Sequence, residues 1–124
     1  MSRSPALITT QRAVAILTMA LIATQFLLAG AGAFGATSYD AHKTVGSILV
    51  LVILVGLVVA LVARRHPVHA AIVLGVAVLQ VVLGAIGEDT PWIGALHGLN
   101  AIAVMAAAGT LLRKVLLPPG AAPA

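Results

Sequence analysis

The sequence has no cysteine. Disulfides, zinc–thiolate sites and thiol catalysis are therefore excluded. It is also poor in charge. Asp, Glu, Lys and Arg make up 8% of the 124 residues, where a soluble domain carries about a quarter. Aromatic residues amount to one Trp, one Tyr and two Phe. That is too few to interleave with the basic residues as stacking platforms, so the net charge of +4 does not argue for nucleic acid, and none is expected as a partner. The basic residues instead flank apolar segments, where they act as topological anchors. No Asp, Glu, Lys or Arg falls well inside an apolar segment. This argues against a proton-coupled transporter, which needs an ionisable carrier at depth. No nucleophile–base set is present for hydrolysis.

What the chain does have is hydrophobic length. Hydrophobic residues make up 61% of it, with a mean hydropathy of +1.15. A helix needs about 20 mostly apolar residues to cross roughly 30 Å of hydrocarbon. Four stretches meet this: 13–34, 44–63, 68–86 and 92–112. Short polar turns separate them, which predicts antiparallel neighbours. The expected fold is all-α, a single transmembrane domain over 1–117 built as an up-down-up-down four-helix bundle, with a disordered tail over 118–124. Asp40 is placed to cap the second helix, and Thr90 or Asp89 before Pro91 to open the fourth. Arg3, Arg12, Arg64, Arg65, Arg113 and Lys114 fall on one side of the membrane, and Lys43 alone on the other. The positive-inside rule then puts both termini in the cytoplasm and the protein in the inner (cytoplasmic) membrane. A competing reading takes residues 1–33 as a cleaved signal peptide, because a basic start and an apolar core lead into Ala-Gly-Ala-Gly-Ala.

The two halves resemble each other at a shift of 55 residues. Gln25 precedes His42 by 17 positions, and Gln80 precedes His97 by 17. At the same shift Leu28 meets Leu83, Ala29 meets Gly84 and Gly32 meets Gly87. This predicts two repeated helical hairpins.

Polar side chains within apolar spans are costly and face the bundle interior. Here they are Gln25, His42, Gln80, His97 and Asn100. His42 and His97 open the second and fourth spans, which run in the same direction and lie on a diagonal of a compact bundle. Two inward imidazoles at one depth are placed to ligate a haem iron, one on each face. Gly46, Gly94 and Gly98 would let a flat ring approach the backbone. Gln25 and Gln80 would bond the imidazole N–H groups or the haem propionates, Asn100 would orient the His97 ring, and Lys43 would reach the propionates. The bland alternatives are a wetted interface residue at His42, and polar helix glue at His97, Gln25, Gln80 and Asn100. Gly94 and Gly98 also form a Gly-x-x-x-Gly close-packing pattern. His66 and His69, beside Arg64 and Arg65, read as a cluster for anionic lipid headgroups rather than a metal site.

Gln25-Phe26-Leu27-Leu28-Ala29-Gly30, Asp40-Ala41-His42-Lys43-Thr44-Val45-Gly46 and Leu96-His97-Gly98-Leu99-Asn100-Ala101 resemble a family of small uncharacterised bacterial membrane proteins with four spans. That resemblance covers nearly the whole chain and implies the fold. The histidine placement is also similar to one half of haem A synthase, a tandem of two four-helix bundles that each hold a porphyrin between such a pair. This chain lacks the acidic residue near the first catalytic histidine and the extracytoplasmic cysteine pair of that family. Haem binding is therefore the expectation, rather than oxidation of the haem. The leading expectation is a haem b protein with His42 and His97 as axial ligands. It would pass electrons near the outer leaflet, to or from a quinone or a partner oxidoreductase. The alternatives are a cofactor-free accessory subunit of a larger membrane complex, or a homo-oligomeric small-solute or ion pathway.

Overall fold

The computed structural model describes residues 4–117, and every regular element among them is helical. Four helices follow in order: α1 (Pro5–Ala33), α2 (Asp40–Val62), α3 (Pro67–Gly87) and α4 (Pro91–Leu116). All four are long and apolar enough to cross a membrane. Even α3, the shortest at 21 residues, spans about 32 Å at 1.5 Å per residue, enough for roughly 30 Å of hydrocarbon. The chain is a multi-pass membrane protein. The tail expected over 118–124 lies outside the described residues.

The helices differ from the apolar stretches mainly at three ends: α1 starts well ahead of its stretch, and α2 begins and α4 ends a turn beyond theirs. Hydropathy marks the part of a helix that lipid covers, whereas backbone hydrogen bonding continues into polar turns. Proline begins α1, α3 and α4, where its missing N–H costs nothing. Thr90 precedes Pro91 as expected. The expected cap at Asp40 is not formed. Tyr39 occupies the N-cap position without a side-chain cap bond, and Asp40 is the first helical residue, accepting a hydrogen bond from Ser38 Oγ at 2.9 Å. Its charge still complements the positive end of the helix dipole. Gly35, at φ 73°, turns the chain between α1 and α2.

Each helix packs on its two sequence or ring neighbours, α1 with α2 and α4, and α3 with α2 and α4. The diagonal pairs do not approach at the backbone. All four helices are apolar on every side, so hydrophobicity does not choose the buried face. Among the described residues, six of the twelve buried hydrophobic residues are alanines: Ala15, Ala60, Ala63, Ala70, Ala77 and Ala108. Bulky residues such as Leu27, Leu51, Val68 and Ile102 point outward. Small residues inside let helices approach closely where lipid supplies no hydrophobic drive to pack.

The repeat governs this core. The buried residues of α2 are Leu49, Ile53 and Ala60, and those of α4 are Val104, Ala108 and Val115; a shift of 55 superimposes them one for one. The same shift takes Ala15, Thr18 and Ile22 of α1 onto Ala70, Val73 and Ala77 of α3. The bundle is two like hairpins around a pseudo-twofold axis along the helices.

The end carrying the α2–α3 turn is latched by side chains. Gln11 Nε2 donates to Arg65 O at 2.6 Å. Arg12 Nε donates to Val115 O at 3.0 Å, and the Arg65 guanidinium to Leu117 O at 2.9 Å. Two cations thus satisfy carbonyls at the C-terminal end of α4, where the helix leaves them unpaired. This divides the basic cluster assigned to lipid headgroups. Arg64 is exposed, but Arg65 turns inward and is 4% exposed. Arg64 and His66 adopt left-handed backbone, with φ of 49° and 55°.

Candidate functional site

Buried residues stop at Ile22, Leu49, Ala77 and Val104 on the side of the two hairpin loops. The next layer is polar and half-buried, made of Gln25, His42, Gln80, His97 and Asn100. All five residues singled out from sequence therefore lie in one layer at one end of the bundle.

His42 and His97 come from the diagonal helices α2 and α4, and their rings meet edge-on with centroids 6.2 Å apart and planes at 69°. Each ring is held by the partner helix of its own hairpin. His42 Nδ1 donates to the main-chain oxygen of Gln25 at 3.2 Å, and His97 Nδ1 to that of Gln80 at 2.9 Å. A carbonyl can only accept, so Nδ1 carries the proton and Nε2 of the neutral ring keeps its lone pair. The repeat thus reaches the site as the same bond made twice, 17 residues apart.

The glutamines differ from expectation in which atoms they use. Their backbones, not their amides, hold the imidazoles. The Gln80 amide instead accepts from Asn100 Nδ2 at 2.7 Å through Oε1, and Asn100 also donates to Val76 O at 3.0 Å. Asn100 therefore ties α4 to α3 and makes no bond to the His97 ring. The position equivalent to Asn100 in the first hairpin is Val45, so Gln25 has no such partner. Its Nε2 is buried without a hydrogen bond among the described residues. Its Oε1 lies over Gly46, 3.3 Å from where a Cβ would stand.

The glycines also sort differently. Gly46 is covered by Gln25. Gly94 packs on Gly87, where a Cβ on Gly87 would stand 2.6 Å from Gly94 Cα. Gly98 faces open space. At none of the three would a Cβ have His42 or His97 among its nearest atoms. The glycine that matters to a ring is Gly84, where a Cβ would lie 2.9 Å from His97 Nδ1. The sequence carries a signal for it, since Gly84 follows Gln80 by one turn and so lies level with His97 across the hairpin. Tyr39 stacks edge-on to His42, with centroids 6.4 Å apart. At the open end of the layer, Lys43 on α2 forms an ion pair with Glu88, just past the end of α3.

A family of unknown function, DUF6220, matches residues 25–87, which are 63 of the 124. The chain belongs to the DUF6220 family. The DUF6220 match runs from Gln25 through α2 and α3 to Gly87, so it takes in His42, Lys43, Gln80 and Gly84 and stops before His97. No curated protein and no solved structure matches the chain. The likeness to a haem A synthase half-bundle therefore rests on the placement of the two histidines alone.

Among the described residues, no group of three or more His, Cys, Asp or Glu side chains gathers as a metal site. Two imidazoles alone do not complete a metal's coordination, so a metal held by them would bring its remaining ligands with it, as in a macrocycle. Metal–imidazole bonds of about 2.0 Å on opposite faces place the ring centres roughly 6 Å apart. The observed separation is 6.2 Å.

Proposed function

We propose that this DUF6220 protein is a small membrane cytochrome of the b type, in which His42 and His97 ligate one haem iron from opposite faces. The observation that supports this reading is the imidazole pair: Nδ1 anchored on each side, no hydrogen bond to either Nε2 among the described residues, and a ring separation that an iron between them would require. Anchoring Nδ1 to a carbonyl fixes the ring's orientation and raises the basicity of Nε2, the usual support of an axial histidine. The aliphatic layer beneath, formed by Ile22, Leu49, Ala77 and Val104, keeps water from the core side. The haem would supply one-electron transfer. With both imidazoles as its ligands, the iron would have no position left for oxygen. Electrons would pass at the hairpin end, with a quinone or a membrane oxidoreductase as partner. The Lys/Arg distribution favours the inner membrane with both termini cytoplasmic, so this end would meet the outer leaflet.

The test is a titration of purified apoprotein with haem, followed by absorption in the oxidised and dithionite-reduced states. One haem per chain with sharp low-spin bands is expected, and loss of those bands in His42→Ala and in His97→Ala. Low-spin haem retained by both variants would refute the assignment. A second reading is favoured by the Asn100–Gln80 bond and the Gly87–Gly94 contact, both of which are helix glue. In it the protein is a cofactor-free subunit of a larger membrane complex. Folded wild-type protein that stays colourless in excess haem would select it.

A further inference from the structure

We infer that Lys43 is the docking residue for a carboxylate of the ligand seated between His42 and His97, and that Glu88 occupies it until that ligand arrives. This rests on the haem reading and names how such a ligand is anchored.

Haem b carries two propionates, and their charge has to find a cation or water. The histidines share their layer with amides and have aliphatic carbon beneath, so the carboxylates belong at the loop end. Lys43 follows His42 directly, on the same first turn of α2. Among the described residues it is the one Lys or Arg at this end of the bundle; Arg12, Arg64, Arg65, Arg113 and Lys114 lie at the other. Its ammonium bonds Glu88 Oε1, and the pair links the two hairpins at the loop end that carries the histidines. The two side chains are 62% and 61% exposed. Pairs this exposed are weak and exchange partners readily. A ligand carboxylate can therefore take the Lys43 ammonium from Glu88. Asp40 and Asp89 stand at the same end, so Glu88 both competes for Lys43 and adds to the repulsion that a dianionic ligand meets.

The pair then has opposite effects when cut from its two sides. The experiment is equilibrium titration of full-length apoprotein with haem and with haem dimethyl ester, whose carboxylates are capped and neutral. Wild type, Lys43→Gln, Lys43→Arg and Glu88→Gln are compared, with folding checked by circular dichroism. Lys43→Gln should weaken haem binding by roughly fivefold, at the upper range of an exposed charge pair. Lys43→Arg should retain it, and Glu88→Gln should tighten it. With the dimethyl ester the four proteins should bind alike. Equal weakening by Lys43→Gln and Glu88→Gln would make the pair a structural strap and overturn the proposal. So would a Lys43 dependence that survives esterification. Should Lys43→Gln fail to fold, the sign of the Glu88→Gln effect decides alone. Wild-type protein that takes up no haem refutes the histidine reading itself. Haem binding indifferent to Lys43 refutes only the anchor.

Discussion

The contact between Gly87 and Gly94 makes a graded prediction, because three glycines of similar sequence context stand in three different environments. A Cβ on Gly87 would lie 2.6 Å from Gly94 Cα and 2.8 Å from Gly94 N. Carbon atoms pack best at about 3.5–4.0 Å. The obstacle is backbone, so relief requires α3 and α4 to part by about 1 Å near their loop. Overpacking of this kind costs about 1–3 kcal/mol. The displacement also reaches the site. Gly94 is one turn before His97, and the His97–Gln80 bond starts from 2.9 Å; about 1 Å more exceeds hydrogen-bonding distance. A Cβ on Gly94 would stand 3.3 Å from Gly87 O, a contact that a shift of a few tenths of an ångström relieves. Gly98 has nothing within 4 Å, so alanine there should gain up to about 1 kcal/mol of helix propensity. Thermal unfolding in detergent should therefore rank Gly87→Ala well below Gly94→Ala, and Gly98→Ala at or above wild type. Gly98→Ala matching Gly87→Ala in its damage would refute the packing argument.

The two glutamines should respond in opposite directions to the same change. Gln80→Met strips a bond from Asn100 and should destabilise the apoprotein by about 0.6–1.7 kcal/mol. Gln25→Met removes a buried, unpartnered N–H and should leave it unchanged or up to about 1 kcal/mol more stable; unfolding of both variants without haem checks the pair. At the other end, burial and then the neighbouring charge of Arg65, with His69 and Lys114 behind it, hold the His66 imidazole below its usual pKa. The unfolded value is about 6.5. The unfolded chain therefore binds the proton first, and stability should be full above that pH and fall as pH drops below it. His66→Asn, which tolerates the left-handed backbone there, should flatten the loss; a melting temperature independent of pH between about 7 and 5 in wild type would contradict it.

The bundle was legible because its information is one-dimensional. Four apolar lengths, short turns and prolines at helix starts survive without knowledge of packing. The repeat was legible through Gln25, His42, Gln80 and His97, since polar residues are rare enough in this chain to serve as markers. Which atoms they would use was not. Gln25 and Gln80 bond through main-chain oxygen, and no side-chain pattern reports that. The glycines misled for a related reason. In helices apolar on all sides there is no polar face to fix rotation, so Gly98 and Gly84 could not be ranked by distance from the histidine core. Arg65 and Arg64 are adjacent and alike in sequence. Only the left-handed turn, which aims one inward and the other outward, separates them.

The central claim is that both imidazoles bind one iron, and low-temperature electron paramagnetic resonance of the oxidised, haem-loaded protein tests it most directly. The account predicts a low-spin ferric signal of one centre per chain, because two strong axial nitrogens would pair all but one of the ferric d electrons. A high-spin signal would mean that one histidine is not a ligand, and would contradict it.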